Sequence, residues 1–376
     1  MFEDSQDYTL SETRAQIRLS AYGDAGEVFV RTDVLQDHVV DGDTEVILRE
    51  GFFRFTTAKD HLDVKAGRQA LTWGTGDLVF VNDLFPKDWE SFFAGREDQY
   101  LKAPADALRL GIFGLPFDVD VVLTPKFTPD RLPAPGERLS FYLPPMTGAP
   151  DRPEETLENG EVALRLSRYV GNTTVSLYGY RGFFKTPLGL GPAGAGSPPG
   201  VSFAPYHPEL SVGGASVRGA LLGGVAWAEA GYYDSREDGD GTDPLVENSS
   251  LRYLGGWEKQ WLPDLNVTVQ YYGEKMMDHG EYVAALPAGA PKEDELRHLW
   301  TFRVEKLLHY QLLRLSAFTF WSPTDEDGHS RFLTSYKLSD EVEVAVGANL
   351  FFGEDPTMFG QFDRNDSVFG RLRYSF

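Results

Sequence analysis

The sequence predicts an all-β chain: an antiparallel β-barrel that crosses a membrane with about 16–18 strands and folds one loop, near residues 74–104, into its lumen. Three observations predict it. Apolar and polar residues alternate in short segments along the whole chain. No apolar run approaches the ~20 residues that a membrane-spanning helix needs. The connections between the segments alternate between short turns and long loops.

The alternation is explicit. Arg14, Gln16, Arg18 and Ser20 interleave with Ala15, Ile17, Leu19 and Ala21. Ala163, Arg165 and Ser167 interleave with Val162, Leu164 and Leu166. Asn266, Thr268, Gln270 and Tyr272 interleave with Leu265, Val267, Val269 and Tyr271, and Glu343, Ala345, Gly347 and Asn349 with Val342, Val344, Val346, Ala348 and Leu350. Period-two patterning gives a strand one apolar and one polar face. About seventeen such segments can be counted, more than one water-soluble sandwich holds but ordinary for a barrel with lipid outside and water inside. In that barrel Leu265, Val267, Val269, Val342, Val344, Val346, Leu372 and Tyr374 face lipid, and Glu343, Asn349, Arg371 and Arg373 face the lumen.

Short turns such as Gly23-Asp24-Ala25-Gly26, Gly114-Leu115-Pro116 and Val170-Gly171-Asn172 alternate with long loops at about 74–104, 127–158, 185–207, 234–246, 276–294 and 354–366. No linker or shift in composition marks a second domain, so one barrel is expected over residues 1–376. If the long loops share one side, the segments near 12–22 and 366–376 run in the same direction and cannot pair antiparallel. A strand upstream of Met1 is therefore expected, making roughly eighteen, with sixteen the nearest alternative. No secretory leader pattern precedes Met1, so the chain reads as mature or trimmed at its start.

The last strand carries a further signal. Val368, Gly370, Leu372, Tyr374 and Phe376 share one face, and Phe369, Arg371, Arg373 and Ser375 the other. A chain that ends on an aromatic, with a second two residues earlier, resembles the closing strand of bacterial outer-membrane β-barrels. That resemblance implies recognition by the barrel-assembly machinery through the C-terminal strand, and a surrounding of outer-membrane lipids and lipopolysaccharide. The absence of cysteine removes disulfides and thiolate sites, and a net charge of −22 argues against nucleic acid as a partner.

A second resemblance lies between residues 12 and 112. Leu48-Arg49-Glu50-Gly51-Phe52-Phe53 is followed by Leu62-Asp63-Val64-Lys65-Ala66-Gly67-Arg68-Gln69-Ala70-Leu71-Thr72-Trp73-Gly74, then by Val81-Asn82-Asp83-Leu84-Phe85-Pro86 and Leu108-Arg109-Leu110. This resembles the proteobacterial outer-membrane family catalogued as domain of unknown function 1302. It is similar, more distantly, to alginate-export-type porins, which carry a comparable Gly-Arg-Gln strand. The family usually has one strand ahead of the region matching Thr9–Tyr22. The resemblance implies a transport role in the envelope and names no substrate.

Loop 74–104 concentrates the candidate functional residues. It carries Phe80, Phe85, Trp89, Phe92, Phe93 and Tyr100 together with Asp77, Asp83, Asp88, Glu90, Glu97 and Asp98. So many aromatics gain nothing on an exposed loop, which suggests burial in the barrel mouth. A pore constriction is expected there, with Asp83, Asp88, Glu90 and Trp89 on the loop facing Arg49, Arg54, Arg68 and Arg109 on the flanking strands. The bland alternative packs the loop on the rim and leaves the arginines paired locally. Strict alternation aims Arg68 at lipid; a bulge at Gly67 would turn it inward, where pairing with Glu50 is the simplest role.

Asp238, Asp240 and Asp243 resemble half of a calcium loop, but no Glu stands at the twelfth position, and a solvated loop tip is the simpler reading. No His-Glu-x-x-His pair, nucleophile elbow or phosphate loop is present, so no enzyme and no cofactor are expected. The reading is an outer-membrane channel for small or amphipathic solutes, with cation passage favoured by the excess of Asp and Glu. The alternatives are a barrel sheath or anchor for a periplasmic partner, such as a lipid-transfer protein or a cytochrome, and an outer-membrane hydrolase. A periplasmic transport partner fits either of the first two.

Overall fold

The computed structural model describes residues 8–39, 44–57, 61–133, 139, 150–192 and 203–376. The predicted loops at 127–158 and 185–207 therefore lie partly outside the described residues. The strands are β1 (Glu12–Gly23), β2 (Gly26–Asp37), β3 (Thr44–Thr57), β4 (Leu62–Ala70), β5 (Pro104–Ile112), β6 (Asp118–Thr124), β7 (Glu161–Val170) and β8 (Thr173–Phe183). After the short β9 (Gly189–Pro192) and β10 (Phe203–Tyr206) come β11 (Glu209–Leu221), β12 (Gly224–Ser235), β13 (Ser250–Leu262), β14 (Leu265–Met276) and β15 (Leu296–Leu308). The last four are β16 (Leu313–Ser322), β17 (Asp327–Lys337), β18 (Val342–Phe352) and β19 (Ser367–Tyr374).

Seventeen strands form one sheet in which each pairs antiparallel with its neighbours in sequence. The exception is β8, which passes over the small β9–β10 pair to β11. This is the up-and-down arrangement of a membrane barrel, where every backbone donor must find its acceptor in the next strand. An odd number of antiparallel strands leaves β1 and β19 pointing the same way, and among the described residues no ladder joins them.

The two faces separate as the alternation predicts. Along β18, Ala345, Gly347 and Asn349 are buried inward, whereas Val346 is 60% exposed on the outer face. Thr268 and Gln270 of β14 are buried between Val267 and Val269. Arg371 and Arg373 of β19 reach a carboxylate inside the barrel, while Leu372 and Tyr374 are exposed outside. Polar groups that are fully covered line the interior, among them Asp33, Gln69, His329 and Asn349, and large apolar side chains cover the exterior. A soluble sandwich reverses that distribution. Trp257 and Trp261 stack edge-on where β13 ends, and Tyr271 meets Trp300 near the opposite end, as interface girdles do.

The turns on one side are tight. Leu222 and Gly223, between β11 and β12, both take positive φ (52° and 74°), the geometry of a two-residue hairpin whose twist matches its strands. One irregularity is displaced from its predicted place. The register slips on β3 opposite Arg31 and Thr32, so that Arg49 is the extra residue, and no register shift occurs on β4 at Gly67. The bulge turns both Arg49 and Glu50 inward, and Glu50 pairs with Arg31 at 2.9 Å.

These faces are testable with single cysteines. A label at Val344 should be quenched from the lipid phase and one at Glu343 by aqueous reagents. Identical behaviour at the two positions would return the protein to a soluble sandwich.

Candidate functional site

Between β4 and β5 the chain turns into the lumen as residues 71–103, forming a short helix, α1 (Trp89–Phe93), and a 3-10 turn over Asp98–Tyr100. Asp88 caps α1 by accepting the Ser91 N–H at 2.7 Å. The helix buries Phe92 and Phe93 against Phe320, His329 and Phe351 of the wall and against Phe359 and Phe362 of the last long loop. Covering a phenylalanine in this way contributes roughly 1.5–3 kcal/mol. The aromatics that would be wasted on an exposed loop thus fix it inside the barrel.

Polar anchors set the rest of its path. The Glu229 carboxylate on β12 accepts the backbone N–H groups of Thr75, Gly76 (3.0 Å) and Asn82 (3.2 Å), as well as the Asn82 amide (3.0 Å). Gln270 of β14 accepts from the Asp77 N–H at 3.0 Å and donates to the Asp77 carbonyl at 3.2 Å. Gly74 (φ +79°) lies so close to Glu229 that a Cβ there would meet the carboxylate at 3.0 Å. The loop tip also spans the two outermost strands: Arg96 binds Glu12 of β1 at 2.7 Å, and Glu97 binds Arg371 and Arg373 of β19 at 3.3 and 3.0 Å.

Every acidic residue of the loop is engaged. Arg303 of β15 donates to both oxygens of Asp77 (2.7 and 2.9 Å), and Asp98 pairs with Arg331 of β17 at 3.3 Å. Asp83 accepts from Lys87 (3.0 Å), Lys102 (2.6 Å) and Thr72 (2.8 Å). Burial pushes its pKa up, but the two ammonium groups outweigh burial and hold the carboxyl below its ordinary range. Glu90 binds Arg131 at 3.0 Å, and Trp89 donates its indole N–H to Asp130 at 3.0 Å. Asp130 also accepts the Lys87 N–H, yet burial keeps its pKa above the usual carboxylate range.

The loop is therefore inside, as predicted, but its partners on the wall differ from those expected. Arg49 does reach it, donating to the Lys102 carbonyl at 3.2 Å with its guanidinium over Tyr100. Arg54 pairs instead with Asp63 at 2.8 Å, and Arg109 with Asp120 at 2.8 Å, both along the wall. Arg68 does not turn inward and does not meet Glu50. It lies on the face opposite Asp63 and Gln69, donates to the Leu48 carbonyl at 2.9 Å, and pairs at 3.5 Å with Asp106, at the end of the strand pair where the cost of an outward charge falls. The opposing arginines are those of β15, β17 and β19, far away in sequence. Arg371 and Arg373 were legible as lumenal; nothing in the sequence marked Glu229, Gln270, Arg303 or Arg331 as contacts of this loop.

Asp238, Asp240 and Asp243 spend their carboxylates on their own turn. Asp238 accepts the Thr242 and Asp243 N–H groups, Asp240 the Thr242 hydroxyl and Asp243 the Leu245 N–H.

What the loop leaves open is a cavity of about 540 Å³ lined by Thr72–Leu78, Phe80, Asp98, Leu101, Lys102, Arg218 and Arg303. Arg218 stands three residues before the end of β11, so the cavity reaches toward the short-turn side of the barrel.

No family model matches this chain, and no curated protein matches it in sequence. Solved structures match it in fold. OccK2 (OpdF) of Pseudomonas aeruginosa aligns with a TM-score of 0.54 at 8% identity, covering 96% of this chain and 90% of its own. OccK5 (OpdH) of the same organism gives 0.52 at 8% identity over 96% and 93%, and OccD3 (OpdP) gives 0.52 at 10% over 96% and 84%. The fold is that of outer-membrane β-barrels.

The Glu229 anchor yields a prediction. Glu229→Gln replaces one acceptor oxygen by an amide that confronts the Thr75, Gly76 and Asn82 donors. A loss of about 1–3 kcal/mol in local stability is expected. Hydrogen exchange of the amides at 75, 76 and 82 should quicken accordingly, while strand amides far from β12 stay protected. Unchanged exchange would show that the loop is held without this carboxylate.

Proposed function

We propose that the chain is a porin-like channel of the bacterial outer membrane, passing small or amphipathic solutes through a lumen narrowed by the inward loop 71–103. The carrying observation is that loop. It is tied to strands around the wall, β1, β3, β12, β14, β15, β17 and β19 among them, and leaves a cavity of about 540 Å³ beside it instead of filling the barrel. The constriction is acidic on the loop and basic on β15, β17 and β19, the arrangement by which pores set size and charge limits. The motifs over 48–53 and 62–74 support the finer resemblance to domain of unknown function 1302. The exposed Tyr374 and Phe376, stacked at 6.1 Å, support recognition by the assembly machinery.

Purified protein should give stepwise conductance in planar bilayers. Replacing residues 78–100 by a short Gly-Ser turn should raise the single-channel conductance severalfold. A folded deletion variant with unchanged conductance would place the loop outside the conducting path.

Assembly has its own test. Changing Tyr374 and Phe376 together to alanine should abolish insertion and heat-modifiable gel migration, beyond any loss of stability. Normal migration of the double variant would contradict a role for this terminus in assembly.

A further inference from the structure

The expectation of cation preference rests on the net charge of −22, but the charges that a solute meets at the narrow part are those left unpaired. Five of the six loop carboxylates are not among them, and the sixth, Asp88, is buried at the N-cap of α1. Asp77 is held by Arg303, Asp98 by Arg331, Asp83 by Lys87 and Lys102, Glu90 by Arg131 and Glu97 by Arg371 and Arg373. Glu229 is buried and covered by backbone N–H groups.

Of the three basic side chains that line the cavity, Lys102 and Arg303 have carboxylate partners; Arg218 has none among the described residues. Its guanidinium lies over the Trp227 ring, 5.1 Å from the centroid, and its side chain is exposed to the lumen. Stacking orients the planar fork and leaves its N–H donors free. The same cavity is also lined by Leu78, Phe80 and Leu101.

We propose that this cavity is a binding subsite for a small organic monoanion, a carboxylate with an apolar body, whose charged group is taken by Arg218. A carboxylate matches the guanidinium fork with two parallel hydrogen bonds. One uncompensated cation beside the paired Asp77 and Asp98 suits a single negative charge and disfavours a dianion. The apolar lining takes the body, so a simple inorganic anion gains less there. The proposal rests on the channel reading, since the subsite lies along the passage.

Hexanoate serves as the probe, titrated by calorimetry into the detergent-solubilised, heat-modifiable barrel, with hexylammonium as the oppositely charged control and conductance in KCl measured in parallel. Wild type should bind hexanoate, Arg218→Ala should bind it at least tenfold more weakly, and Arg218→Lys should fall between. Hexylammonium should not compete. Equal binding by Arg218→Ala, equal competition by hexylammonium, or no binding by wild type would each overturn the subsite. If Arg218→Ala fails to fold, Arg218→Gln, which keeps the stem over Trp227, carries the same expectation. A barrel that conducts KCl but does not bind hexanoate loses the subsite and keeps the channel; Arg218-dependent binding without conductance does the reverse.

Discussion

Hydrocarbon offers a backbone no hydrogen-bond partner, and everything in this molecule follows from that deficit. Each strand must satisfy its N–H and C=O groups on the strands beside it, which selects a continuous antiparallel sheet over any open arrangement. The sheet then has one face in lipid and one around the lumen. A period-two sequence is the only pattern that serves both, so Val346 and Leu372 stand outward while Asn349 and Arg371 turn in. The one place where the period breaks, the bulge at Arg49, brings two consecutive residues to the lumen, and one of them supports the loop.

A polar lumen creates the next requirement. Charges on the wall are poorly screened wherever the loop excludes water, and a carboxylate left alone there would be costly. Glu229 is answered by the backbone of Thr75–Asn82, and Arg303 by Asp77. Such pairs add little net stability compared with apolar contacts of the same size. Their effect is positional: removing one partner strands the other, so the loop has one low-energy path through the barrel. The aromatic cluster around Phe92 and Phe93 supplies the adhesion, and the ion pairs supply the register.

The fold was legible because its signal is local. Alternation over β14 or β18, the short–long rhythm of connections and the aromatic end of β19 each lie within a few residues of sequence. The inward loop was legible too, because its aromatics have no other favourable place. The partners of that loop were not. Asp77 and Arg303 are 226 residues apart, and their meeting depends on how the loop crosses the lumen, which no local pattern encodes. Proximity in sequence favoured the arginines of β3 to β5 and misled for Arg54, Arg68 and Arg109. For Arg68 the strict alternation was the better guide than the glycine beside it: Gly67 takes φ +126° without shifting the register.

The same distinction governs selectivity. Net charge describes a field averaged over the molecule and, beyond a distance of about 8–10 Å in physiological salt, screened away. At the narrow part the relevant quantity is the set of charges within reach of a passing solute, after subtraction of those already in contact with each other. The chain carries 57 acidic and 35 basic residues, yet Asp77, Asp83, Glu90, Glu97 and Asp98 of the loop all lie in ion pairs and Asp88 caps α1. The basic group on the cavity wall that is left over, Arg218, is held by an aromatic ring and has no carboxylate partner among the described residues. A strongly acidic protein can in this way present a cationic point at its constriction, because pairing is decided by contact and the total by composition.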